Sequence, residues 1–197
     1  MQPYQYPDSR HVHVHGPAGY SAYESYREWL RDEFSFRCVY CLHREKWGRM
    51  TGQWHIDHLL SQEDHPELVT NYENLIYSCS GCNLAKGKKS VPNPCECMLH
   101  ESVEVLENGE IKAKTKDALR TIMILGLNSI DYVEFRSQLI GIYRLREIDF
   151  NKFLEWMGYP TDLPDLARKR CPANSRPNGI DMSALARRNR HELPDFY

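Results

Sequence analysis

A chain of 197 residues has room for one sizeable domain, or for a small catalytic module with a helical companion. With 41% hydrophobic, 11% aromatic and 26% charged residues it reads as a globular protein, which excludes the disordered and fibrous classes. The net charge of -2 excludes a protein that holds nucleic acid by bulk basicity, and no apolar run is long enough to cross a bilayer.

The first ten residues lack the basic start and apolar core of a signal peptide, so a cytoplasmic chain with no membrane partner is expected. Charge is unevenly spread: residues 91–165 carry 8 basic and 13 acidic side chains, residues 166–197 carry 7 and 3. Four stretches are expected from the composition: an N-terminal arm and helix over 1–35, a Cys/His/Asn-rich block over 36–90, a hairpin plus helical region over 91–165, and a basic tail over 166–197. The arginines of that tail suit a nucleic-acid contact or a docking arm as well as they suit a solvated face.

In chain order, His11, His13 and His15 alternate with valines, which predicts a short extended segment. A solvated imidazole face is favoured there over a metal site, because a terminal arm lacks a rigid scaffold. Ser21-Ala22-Tyr23-Glu24 has the form of a capping box, and Tyr23, Tyr26, Leu30 and Phe34 follow at helical spacing, so a helix is predicted from about Ala22 to Phe34. Beyond the central block, apolar runs flank Asn108-Gly109, a pair that tolerates the positive φ of a tight hairpin turn. Thr115 and Gly126 bracket one helix, Ser129 can cap a second, and a third over Phe150 to Met157 stops before Pro160. Ala184 to Arg190 reads as a further short helix in the tail.

Residues 36–90 show little apolar periodicity and need something other than a large core to hold them. Cys38-Val39-Tyr40-Cys41 and Cys79-Ser80-Gly81-Cys82 supply it: two C-x-x-C pairs can close a tetrahedral four-thiolate site. Such a closed site suits a structural zinc, since no position remains open for substrate. Cys95, Cys97, His100 and Cys171 are weak as a second metal set, and ordinary buried thiols are the favoured reading. Between the pairs lie His55-Ile56-Asp57-His58 and Asn74, and Asn83 follows the second pair. A carboxylate and a carboxamide oxygen are hard ligands suited to Mg²⁺ or Mn²⁺, and an imidazole beside them can take a proton from water. Together they make a kit for hydrolysing a phosphodiester. Lys86, Lys88 and Lys89 stand where they can meet phosphates, with Arg44, Lys46 and Arg49 in a similar role near the first pair.

At these residues the sequence resembles the zinc-supported branch of the HNH endonuclease family: C-x-x-C, an acidic-His pair, Asn-Leu, then C-x-x-C-Asn and a Lys/Gly-rich segment, in that order. The resemblance implies an α+β fold: a small treble-clef-like ββα-metal core, an N-terminal helix, and a mainly helical C-terminal region carrying a β-hairpin. It implies that Asp57 and Asn83 hold a catalytic divalent ion, that His58 is the general base, that Asn74 orients the His58 ring through its amide or the adjoining backbone, and that His55 supports the site. Pro94-Cys95-Glu96, the Asn108-Gly109 hairpin and Leu125-Gly126-Leu127-Asn128 resemble the C-terminal part of HNH proteins from bacterial antiviral defence systems, of which the Septu nuclease subunit is one. That resemblance implies a partner such as an ATPase or other sensor subunit. DNA is the expected substrate because the hydrolysis needs no 2′-hydroxyl, and since one site cuts one strand, double-strand breaks need two copies, a multimeric partner complex or repeated nicking. The alternatives are a non-catalytic zinc adaptor that binds protein or nucleic acid, and an RNA-directed nuclease.

Overall fold

The computed structural model describes residues 4–47 and 53–197. Among the described residues, strands pair two by two, all antiparallel: β1 (Pro17–Ala18) with β6 (Ala173–Asn174), β2 (Trp54–His58) with β3 (Leu75–Cys79), and β4 (Val103–Val105) with β5 (Ile111–Ala113). The helices are α1 (Arg27–Glu33), α2 (Ser80–Lys86), α3 (Pro94–Cys97), α4 (Lys116–Leu125), α5 (Ile130–Tyr143), α6 (Phe150–Met157) and α7 (Ala184–Asn189). Small sheets mixed with helices make this an α+β chain. Its internal packing defines two units, one built from described residues of Met1–His11, Tyr40–Leu42 and Gly81–Trp156, the other from Val12–Val39, His43–Ser80 and Met157–Tyr197.

In the first unit the predicted hairpin forms with Gly109 at φ +91, where a Cβ would fall on the carbonyl of Val133. Glycine is needed there for both reasons. Thr115 caps α4 by accepting from the Ala118 amide, and Gly126 in the left-handed region ends it. Ser129 starts α5 without a side-chain capping bond. The buried groups of α5 include Arg136, whose guanidinium donates to the carbonyls of Gly109 and Leu127 and to Asn128 Oδ1. Burial lowers its pKa, yet its hydrogen bonds tie the hairpin turn to the end of α4. Cys95 and Cys97 are buried thiols as expected: burial raises the pKa of both, that of Cys95 to about 12, and Cys97 Sγ lies 3.4 Å from Thr121 Oγ1.

In the second unit the region predicted as one helix from Ala22 begins as a tight 3-10 turn over Tyr23–Tyr26, and α1 proper starts at Arg27. Ala22, not Ser21, takes the N-cap position, and no side chain caps it, so the capping box is not made. Trp29, Leu30 and Tyr26 carry the burial. The chain leaves α1 through Ser35 and Phe36, both at positive φ, with the Phe36 amide donating to Arg31 O. Left-handed backbone at two non-glycine residues costs roughly 1–2 kcal/mol each, and complete burial of the Phe36 ring, worth about 1.5–3 kcal/mol, offsets much of it.

The expected solvated histidine face is overturned. Val12 is 72% exposed while His15 is 1% exposed, so the imidazoles turn inward and the valines outward. The cause lies at the end of α1: Glu33 accepts from the Val14 and His15 amides, and Asp32 accepts from His15 Nε2 at 2.9 Å. Two buried carboxylates thus anchor the arm. The basic tail belongs to the same unit rather than trailing from it. β6 pairs with β1, the Ala184 amide donates to Asp32, and Tyr197 stacks on Tyr159. Arg176 pairs with Glu73, Arg168 with Asp165 and Arg190 with Glu192, so several tail arginines meet local carboxylates.

Candidate metal centre and active site

The first cysteine pair sits in a narrow loop whose arms are bridged at Arg37 and Arg44. The Cys38 amide donates to His43 O at 2.8 Å, the Val39 amide to Tyr77 O at 3.0 Å, and Leu42 turns the chain at φ +58. The second pair lies where β3 ends at Cys79 and α2 begins, with Cys82 in its first turn. All four thiols are buried, no cysteine is in a disulfide, and the four sulfurs all lie within 4.8 Å of one another. Tetrahedral zinc with Zn–S of about 2.3 Å places sulfurs roughly 3.8 Å apart, so this cluster is of a size to bind zinc. Cys82 Sγ also lies 3.7 Å from the Tyr132 hydroxyl of α5, which can donate to a thiolate. Gly81 makes room for that hydroxyl, since a Cβ there would come within 2.5 Å of it.

Downstream of the first pair, β2 aligns antiparallel to β3 with Asp57 opposite Ile76, His58 opposite Leu75 and His55 opposite Ser78. The loop over 59–74 joins them, and Asn74 clamps it. Its Oδ1 accepts from the Leu60 amide at 2.9 Å, its Nδ2 donates to the carbonyls of Leu60 and Leu68, and its own carbonyl accepts from the Leu59 amide. Asn74 therefore acts on the backbone adjoining His58 and not on the ring. Removing it leaves several loop groups to find water: Asn74→Ala is expected to lower stability by about 2 kcal/mol, read from the urea midpoint at unchanged slope.

His58 and Asp57 are both buried. His58 Nε2 lies 3.0 Å from the Val69 carbonyl, which can only accept, so the neutral ring carries its hydrogen on Nε2 and keeps its lone pair on Nδ1. Gln62 Nε2 lies 3.0 Å from that Nδ1. Tyr23 stands edge-on to the ring at 4.9 Å, and Asp57 Oδ1 accepts from the His58 amide at 2.8 Å, holding the pair in one conformation. An imidazole in this tautomer, next to a carboxylate, has the form required to take a proton at Nδ1.

The remaining sequence-selected residues lie on or after α2. Asn83 is half-buried in its first turn, and its carbonyl accepts from the Gly87 amide. Lys88 and Lys89 are exposed, Lys89 donating to Ala85 O, whereas Lys86 is 5% exposed. Arg44 departs from its expected role. It is buried, donates to Met157 O and lies over the rings of Trp47 and Tyr197, so it supports packing and offers nothing to a phosphate. Lys46 is exposed, and Arg49 lies outside the described residues. Sequence reasoning missed Gln62, Val69 and Tyr23. The first two act through a loop with no periodicity, and the spacing of Tyr23 marks it only as part of a helix face.

Residues 38–89 match the HNH endonuclease family. That stretch runs from the first cysteine through β2, the Asn74 loop, β3 and α2 to Lys89. HNH domains are metal-dependent, and the match supports a nuclease-type function. The chain is also similar to the Septu protein PtuB of Bacillus thuringiensis, 29% identical over 124 residues, which is 60% of this chain and 46% of that protein. It thus spans less than half the length of this curated relative. Among the described residues no helix is long and apolar enough to cross a membrane.

Proposed function

We propose that this chain is a metal-dependent endonuclease that hydrolyses phosphodiester bonds of DNA and works as the cutting subunit of a multi-subunit defence complex. The observation that carries the reading is the His58 imidazole, fixed by the Val69 carbonyl in the tautomer that accepts a proton at Nδ1, inside the stretch that matches the HNH endonucleases. Asp57 and Asn83 supply the hard oxygen donors that would hold a divalent ion, Mg²⁺ or Mn²⁺. Such an ion would stabilise negative charge on the phosphate and the leaving oxygen. His58 Nδ1 takes the proton of a water molecule, whose oxygen attacks phosphorus as the bond to the leaving oxygen breaks. Asn74 acts as a positioning residue, holding the loop that supports His58, and His55 flanks Asp57 from the same strand. Lys88 and Lys89 meet backbone phosphates, and the buried Lys86 is withdrawn from that set. The four cysteines hold the structural zinc and take no part in the chemistry.

DNA is favoured over RNA because no step uses a 2′-hydroxyl. The similarity to the Septu protein PtuB supports action within a defence complex, and the chain's acidic balance supports a partner, such as an ATPase or other sensor, that contributes to the grip on DNA. One site cuts one strand, so double-strand breaks call for two copies or repeated nicking. The substrate is tested by incubating the protein, alone and with the product of its neighbouring gene, with supercoiled plasmid and with structured RNA. Relaxed plasmid and intact RNA are expected; cleaved RNA beside intact plasmid would overturn the DNA assignment.

A further inference from the structure

We infer that Gln62 is a positioning residue that covers the proton-accepting nitrogen of His58 until the nucleophilic water takes its place. The inference rests on the reading of His58 as the base and adds to it a residue that the HNH match and the spacing of the motif leave without a role. Its geometry is specific. The Val69 carbonyl claims Nε2–H, so the second ring nitrogen is unprotonated and accepts, and Gln62 brings an amide N–H to it at 3.0 Å. The contact also orients the Gln62 amide, since its oxygen would meet the lone pair with repulsion.

The backbone beneath Gln62 is held on both sides. Asn74 clamps Leu60, and on the far side the Ser61 hydroxyl donates to Asp64 Oδ2 while the Asp64 amide donates back to Ser61 Oγ. The His65 amide closes the turn onto Ser61 O. Gln62 itself is exposed, so its side chain can turn into water while the turn stays in place. Exchanging one solvent-compensated hydrogen bond is cheap, which makes Gln62 a latch and not a lock. While the latch is closed, His58 keeps the ring position that the reaction uses, yet Nδ1 has no room for the water proton.

The test compares wild type with Gln62→Met, nearly isosteric but without a donor, and with Gln62→Ala. In the assembly that cuts plasmid, at saturating divalent ion, both variants are expected to raise kcat roughly two- to tenfold with KM unchanged. In the metal-free protein at one fixed alkaline pH, the ¹⁵N resonance of His58 Nδ1 is expected to move downfield in Gln62→Met, as loss of the Gln62 hydrogen bond requires. Unchanged or lowered kcat in both variants, with His58→Ala inactive, would overturn the latch and leave the base standing. Full activity in His58→Ala would instead overturn the base assignment and the latch with it. An unmoved Nδ1 resonance would contradict the contact whatever the activity.

Discussion

His58→Ala is expected to lower plasmid cleavage by roughly 10²- to 10⁴-fold, the range that a positioned general base contributes, with zinc content and melting temperature within a few degrees of wild type. The separation of effects follows from the placement of the ring. His58 closes β2 beside Asp57, and its ring nitrogens bond to Val69 and Gln62 of one loop, while that loop's backbone is clamped independently by Asn74. Truncation removes the proton acceptor and leaves the clamp intact. A large fall in melting temperature would mean that the ring serves the fold and not the reaction.

Cys79→Ala should behave in the opposite way, losing zinc and cooperative unfolding together. Cys79 ends β3 and Cys82 opens α2, so the metal would hold the joint between strand and helix as well as the first cysteine loop. Structural zinc in small cysteine sites contributes on the order of 10–16 kcal/mol of apparent binding energy, more than the whole stability of most domains. Metal analysis is expected to read one zinc per wild-type chain and none in the variant, whose circular dichroism should lose its sharp melt. A variant that melted like wild type would contradict a structural role for the cluster.

Much of this was legible because the governing signals are local. The two C-x-x-C pairs state their own geometry, Asn108-Gly109 and Gly126 mark positions where backbone sterics admit few residues, and the stop of α6 before Pro160 is a matter of neighbouring atoms. What was not legible depends on residues far apart in the chain. The alternating imidazoles read as a solvated strand face until Asp32 and Glu33 are seen drawing His15 and its neighbouring amides inward. Arg44 reads as a phosphate contact until Trp47 and Tyr197 close over it, and the basic tail reads as a loose arm until β6 finds β1. Within the candidate site, Asp57, His58 and Asn83 were named from residue type and spacing. Gln62 could not be, because its role depends on which nitrogen of His58 the Val69 carbonyl takes.

The proposed metal-dependent phosphodiester hydrolase of residues 38–89 is open to a decisive experiment. The most direct measurement is conversion of supercoiled plasmid to open circle by the purified protein, with its gene-neighbour partner present, in Mg²⁺ or Mn²⁺ and again after the divalent ion is chelated with the zinc content verified unchanged. Nicking is expected to require the divalent ion, to return when it is restored, and to be absent in His58→Ala. Nicking that persists without the ion or without His58, or no nicking under any of these conditions, would contradict the proposal.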